Sequence, residues 1–227
     1  MRTLALLFTL LLGLGSARAD QLIVNGSFET GLTGWLTGNN GDGGFFATSG
    51  TVTPLTYNST VGASSGNTYA LSDDYSGSQT SYLRQFFTTP SSFQTATLSF
   101  AMFVNDIYGA DFGSSGPGGQ VQLLNSLGTV IASLFGPVDT FENPVGSPNP
   151  YVQYSANIAS LLNPNTTYGL QFSSTDTTNL INVGVDNVSL LTAGSTAVTV
   201  TPEPTTLSLV GLGSILLAWT AFYKKAA

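Results

Sequence analysis

Apolar and polar residues alternate along several short runs of this chain, and a period of two predicts β-strands rather than helices. The clearest run is 96–104, where Leu98, Phe100, Met102 and Val104 alternate with Thr97, Ser99, Ala101 and Phe103. One of those rows belongs in a core. Residues 167–173 repeat the pattern with Tyr168, Leu170 and Phe172. Residues 120–124 and 129–135, separated by Asn125-Ser126-Leu127-Gly128, predict a hairpin. Shorter strands are expected at 21–24, 45–48, 69–72, 82–88 and 151–157. In 180–191 the apolar phase slips, with Ile181, Val183 and Val185 at odd positions but Val188 and Leu190 at even ones. A bulge near Asp186-Asn187 would reconcile the two phases.

Between these runs lie turn-forming stretches. Residues 37–44 and 105–119 are rich in glycine and read as loops, and 136–150 carries Pro137, Pro144, Pro148 and Pro150, none of which has the amide hydrogen a central strand needs. Residues 158–162 suit one helical turn. With no helical period outside the two terminal segments, the expected fold is all-β: an antiparallel jelly-roll β-sandwich over residues 20–191, followed by a Thr/Ala/Gly/Ser linker at 192–201.

The termini have a different character. Arg2, the apolar stretch 4–14 and Ala17-Arg18-Ala19 have the layout of a secretory signal peptide, which places the mature start at Asp20. Near the other end, Pro202-Glu203-Pro204 precedes an apolar run at 207–223, closed by Lys224 and Lys225. As a helix the run would reach about 26 Å, enough to cross a bilayer, and the lysines would hold the C-terminus on the cytoplasmic side. This arrangement resembles the PEP-CTERM sorting signal of Gram-negative bacteria, although the family often has arginines where this chain has lysines. The resemblance implies recognition by an exosortase, a membrane protease-transpeptidase of organisms that make exopolysaccharide. The expected course is export, a pause in the inner membrane on the transmembrane sorting helix, then cleavage and transfer to the cell surface or beyond. An unprocessed C-terminal anchor is the alternative.

Charge narrows the partners. Between Asp20 and Thr201 lie all but one of the chain's 12 acids and only one of its 5 cations, Arg84. Such a surface repels phosphate backbones, so nucleic acid is not an expected partner, whereas divalent cations are. The chain has neither histidine nor cysteine, which excludes Ser/His/Asp and Cys/His catalysis, His- or Cys-based zinc sites and disulfides. Charged residues are only 7% of the chain, while an aromatic content of 11% argues for a packed body rather than disorder.

The opening Asn25-Gly26-Ser27-Phe28-Glu29 with Gly34-Trp35, together with the closing run 183–190, resembles the ends of carbohydrate-binding-module-type jelly rolls. In that group the corresponding acids hold one structural Ca²⁺, which implies Glu29 and Asp186 here, with carbonyls around Asn25 and Gly26. The plain alternative is a turn acid at Glu29 and a carboxylate at Asp186 that accepts backbone hydrogen bonds. For sugar stacking the candidates are Tyr75, Tyr108 and Tyr151, with Asp74 or Asp106 taking hydroxyl hydrogen bonds; tyrosines capping a sandwich edge is the other reading. Asp73-Asp74, Asp106 with Asp111, and Asp139 with Glu142 are the pairs a glycoside hydrolase would draw on. Three function classes follow: a non-enzymatic envelope or matrix protein associated with exopolysaccharide, a calcium-stabilised glycan-binding module, and a carboxylate-dependent glycosidase. The first is preferred.

Overall fold

A computed structural model of the protein describes residues 19–75, 79–107, 118–138, 146–176 and 181–194. Within them the chain forms eleven strands: β1 (Ala19–Gln21), β2 (Leu36–Asn39), β3 (Gly44–Thr48), β4 (Tyr69–Asp73), β5 (Gln79–Thr88), β6 (Thr95–Asp106), β7 (Gly118–Asn125), β8 (Val130–Val138), β9 (Val152–Asn157), β10 (Thr167–Asp176) and β11 (Ile181–Ala193). A 3-10 turn, Ala159–Leu161, follows β9. All pairings are antiparallel. One sheet has the order β3-β4-β11-β6-β9 with β1 also on β11, and the other the order β2-β5-β10-β7-β8.

The alternation predicts which rows meet. Leu98, Phe100, Met102 and Val104 from the first sheet pack against Leu83, Phe87, Leu170 and Phe172 from the second. A chain of aromatic contacts crosses the core: Phe28 lies 5.4 Å from Trp35, Trp35 6.1 Å from Phe172, and Phe172 5.3 Å from Phe100. Buried Gln85 is satisfied by both main-chain groups of Val24, accepting from its N–H at 2.7 Å and donating to its carbonyl at 2.9 Å, and so ties the N-terminal segment to β5.

The other row of β6 is also covered, for a reason no periodicity shows. Residues 49–68 cross the outer face of the first sheet as a strap, and beneath it Tyr69, Leu71 and Phe103 form a second apolar cluster with Val61, Ala63 and Tyr151. The ring of Phe103 lies directly on Gly184, where any Cβ would sit 2.0 Å from it.

Several boundaries differ from expectation, β6 and β11 running to Asp106 and Ala193 and so into the expected loop and linker. Residues 37–44 are not a loop throughout, because β2 borrows its hydrogen bonds from β5, with Leu36 opposite Arg84 and Gly38 opposite Tyr82. The segment at 21–24 is strand only as far as Gln21. β8 runs through Pro137, which an edge strand tolerates because its outward side needs no donor. The bulge is where the phase slip places it: the β6/β11 register shifts between Asp186 and Ser189, and Val188 N–H there donates to the Gly26 carbonyl at 2.9 Å. Residues 1–18 of the expected leader (1–19), the Pro-Glu-Pro motif, the apolar run and Lys224-Lys225 lie outside the described residues, whereas Ala19 opens β1.

Candidate functional site

Glu29 and Asp186 meet at the same stretch of strap. The exposed Glu29 side chain accepts from Asn67 N–H at 2.8 Å and Thr68 N–H at 3.0 Å through Oε1. Asp186, fully buried, accepts from Ser64 N–H at 2.9 Å and Ser65 N–H at 3.0 Å through Oδ2, and from Asn187 N–H at 2.7 Å through Oδ1. The Thr68 and Asn67 amides hold the Glu29 carboxyl below its usual range. Burial pushes Asp186 up, against the pull of its amides, and the nearby Glu29 charge adds to the rise. The sequence-nominated carbonyls are engaged too: Asn25 O accepts Trp35 Nε1–H at 3.0 Å, and Gly26 O accepts the Val188 amide. Both carboxylates thus bind the strap through main-chain amides, Asp186 at 64–65 and Glu29 at 67–68.

The tyrosines are not gathered into one platform. Tyr75 is exposed, and Tyr108 lies outside the described residues. Tyr151 packs edge-on to Phe103 at 4.9 Å and to Tyr69 at 6.4 Å, so its ring serves the cluster beneath the strap. Its hydroxyl is buried without a hydrogen-bond partner among the described residues, and burial first, then Asp186 and Tyr69, drive its ionisation far upward. Of the acids considered for catalysis, Asp73, Asp74 and Asp106 are buried. Asp73 accepts from Leu55 N–H, Thr56 N–H and the Thr56 hydroxyl, holding the strap's first half. Asp111, Asp139 and Glu142 fall outside the described residues.

A different surface has the features of a binding face. Leu83, Gln85 and Phe87 of β5 point inward, which turns Tyr82, Arg84 and Phe86 to the outer face of the second sheet. Register then assembles rows across it. Arg84 stands opposite Leu36 on one side and Gln171 on the other, with Gln122 beyond; Tyr82 stands opposite Ser173, with Gln120 beyond; Phe86 stands opposite Gly169, with Leu124 beyond. The amides are chained, Gln171 Nε2 donating to Gln122 Oε1 at 2.9 Å and Gln122 Nε2 to Gln120 Oε1 at 3.1 Å. Hydroxyl pairs Thr80/Thr175 at 3.1 Å and Thr88/Thr167 at 3.0 Å flank them. The Tyr82 ring lies over Gly38, where a Cβ would sit 2.2 Å from its hydroxyl, and the Arg84 guanidinium carbon sits 3.8 Å from the centre of that ring. Leu36 and Phe86 remain 57% and 36% exposed beside the polar rows. Exposed apolar surface next to fixed amides and hydroxyls suits a ligand with alternating C–H and O–H surfaces.

The sandwich is also open along its side between the edge strands β8 and β9. There Phe100, Phe135 and Tyr154 cluster, with Phe135 3.9 Å and Phe100 5.0 Å from Tyr154. With Leu98, Leu134 and Ile158 they line a cavity of about 150 Å³. It has no charged wall and is separate from the outer face of the second sheet.

No family model matches this sequence, and no curated protein is detectably similar to it. Among solved structures, the enzymatically active domain of bacteriophage CBA120 tailspike protein 4 is similar at 14% identity and a TM-score of 0.46, over 75% of this chain and 21% of that one, so this chain spans about a fifth of its length. TmCBM61, solved with β-1,4-galactotriose, is similar at 13% identity and a TM-score of 0.46, over 75% of this chain and 97% of that one. The K1 cleaved adhesin domain of Lys-gingipain from Porphyromonas gingivalis is similar at 13% identity and a TM-score of 0.46, over 78% and 98%. At these scores the likenesses assign no function.

Proposed function

We propose that this chain is an exported, non-enzymatic cell-envelope protein whose jelly-roll body binds glycan on the outer face of its second sheet. The observation that carries the reading is that face: Leu36 and Phe86 lie exposed beside the linked amides of Gln120, Gln122 and Gln171. Sugars present C–H faces that settle on apolar rings and hydroxyls that exchange hydrogen bonds with amides. Binding rather than catalysis is supported by a chain without histidine or cysteine and by the commitment of Asp73 to the strap. The test is titration of the full chain, in non-ionic detergent, with exopolysaccharide from its own host. Saturable binding is expected, weakened about 5–10-fold in Phe86→Ala, the loss of one stacking contact. Binding unaffected by Phe86→Ala together with Leu36→Ala would remove this face from the account.

Sorting through Pro202-Glu203-Pro204 and the apolar run to Lys224 and Lys225 supplies the route to the envelope, with an exosortase-type protease as the processing partner. It rests on the sequence motif. Pro202→Ala with Glu203→Ala is expected to leave full-length protein in the inner membrane; normal processing of that double variant would refute the assignment.

A structural Ca²⁺ held between Glu29 and Asp186 is a second reading, favoured by the way these two carboxylates, from opposite ends of the body, reach the same stretch of strap. Ca²⁺ would add oxygen coordination where two negative charges meet. A chelator is then expected to lower the melting temperature of the wild type but not of Glu29→Gln; an equal response in both would place the metal elsewhere.

A further inference from the structure

Within the described strands, the charges are divided unevenly between the two sheets. Strands of the first carry Asp20, Asp73, Asp106 and Asp186. The five strands of the second carry Arg84 and a single acid, Asp176, at the far end of β10. Arg84 is the only cation between Asp20 and Thr201. In a body with so many carboxylates, a lone guanidinium is expected to pair with one, since the bidentate Arg–carboxylate contact is among the strong polar contacts available.

Arg84 does not. Among the described residues it forms no ion pair or hydrogen bond, and its Nε is buried without a partner. Its guanidinium lies over the Tyr82 ring, which itself packs on Gly38, and one of its terminal nitrogens approaches Gly128. Its neighbours across the sheet, Leu36 and Gln171, carry no charge, and Gln171 spends an amide proton on Gln122 rather than competing for an anion. Among the described residues this leaves a guanidinium without a carboxylate partner, over the Tyr82 ring and on the same face as the exposed Phe86. A neutral sugar would be served by Phe86 and the glutamines and would leave this donor unused.

We propose that the face selects acidic glycans, Arg84 receiving the carboxylate of a uronic acid residue while Phe86 carries the apolar face of a neighbouring sugar; this rests on the glycan-binding reading of the same face. The negative body opposes this contact only in part at physiological salt. Repulsion from exposed acids is screened beyond about 8 Å there, whereas the guanidinium acts at contact.

The experiment compares alginate, polygalacturonate and hyaluronate, each against its carboxyl-reduced form, for binding to the full chain in non-ionic detergent at about 0.15 M salt. Acidic members are expected to bind at least about 10-fold more tightly than their reduced counterparts. In Arg84→Gln that preference should collapse toward unity, and in Arg84→Lys, which keeps the charge but not the fork, it should return in part; melting temperatures of both variants identify any folding defect. Reduced polymers that bind as tightly as acidic ones would overturn the acidic preference and leave the glycan face standing. So would a preference that persists in a folded Arg84→Gln. If no polymer of either kind binds, the acidic preference and the glycan-binding reading fall together.

Discussion

Asp186→Ala isolates what the buried carboxylate does. In the folded protein it accepts three main-chain N–H groups, two from the strap and one from its own bulge. Leaving a buried donor without a partner costs about 1–3 kcal/mol. All three are only partly buried, so water recovers part of that, and removing a desolvated charge returns more. The net cost comes to about 3 kcal/mol, and for a body of this size to a melting-temperature drop of about 6–12 °C. Asp186→Asn keeps one oxygen for the Ser64/Ser65 pair but turns an NH₂ toward a donor, and should cost about 1–2 kcal/mol. Urea unfolding with a chelator present, paired with hydrogen exchange at Ser64 and Ser65, measures both. Faster exchange at those two amides is expected in Asp186→Ala, together with the larger loss. A loss below about 1 kcal/mol with unchanged exchange would show that the strap is held by something other than this carboxylate.

Two further outcomes follow from the same region. Glu29 has its folded pKa lowered, so the stability it contributes is present above its unfolded pKa and lost as pH falls through the folded one; Asp186 has its folded pKa raised, so its contribution is present below the unfolded pKa and lost as pH rises through the folded one. Acid titration of unfolding free energy with chelator should therefore lose its acid-side fall in Glu29→Gln and its gain just above that in Asp186→Asn; curves identical to wild type would contradict both. Gly184→Ala places a methyl group into the Phe103 ring and should destabilise by about 1–3 kcal/mol as the cluster under the strap is forced apart, read by denaturant midpoint; a neutral effect would mean that Phe103 relocates freely.

Strands with one buried row were visible in the sequence because their alternation survives folding. Leu98, Phe100, Met102 and Val104, and Tyr168, Leu170 and Phe172, all face the core as their spacing predicts, and the phase slip in 180–191 located the bulge. β2 was not visible, since Leu36-Thr37-Gly38-Asn39 has no apolar period and is a strand only because β5 lies beside it. The strap was hidden for a related reason: its burial comes from carboxylates at Asp73, Asp186 and Glu29, distant in sequence, that bind its amides.

The candidate face was the least legible part. Tyr82, Arg84 and Phe86 lie in the outward row of a predicted strand, and nothing in their spacing brings Gln122, Gln171 or Leu36 to them; the sheet register does. Two signals were present. Phe86-Phe87 puts aromatics on both faces of one strand, and Arg84 is the body's single cation. Loop tyrosines drew attention instead, and Tyr151 proved to serve the packing beneath the strap.

The most direct test of the account is a hydrogen-exchange footprint of the full chain with and without a saturating acidic polysaccharide. Slowed exchange confined to 80–88, 120–124 and 167–175, with the strap at 49–68 unchanged, is the predicted result. A footprint on the strap, or along β8 and β9 at the aromatic cavity, would contradict the assignment of the second sheet's outer face as the glycan-binding surface.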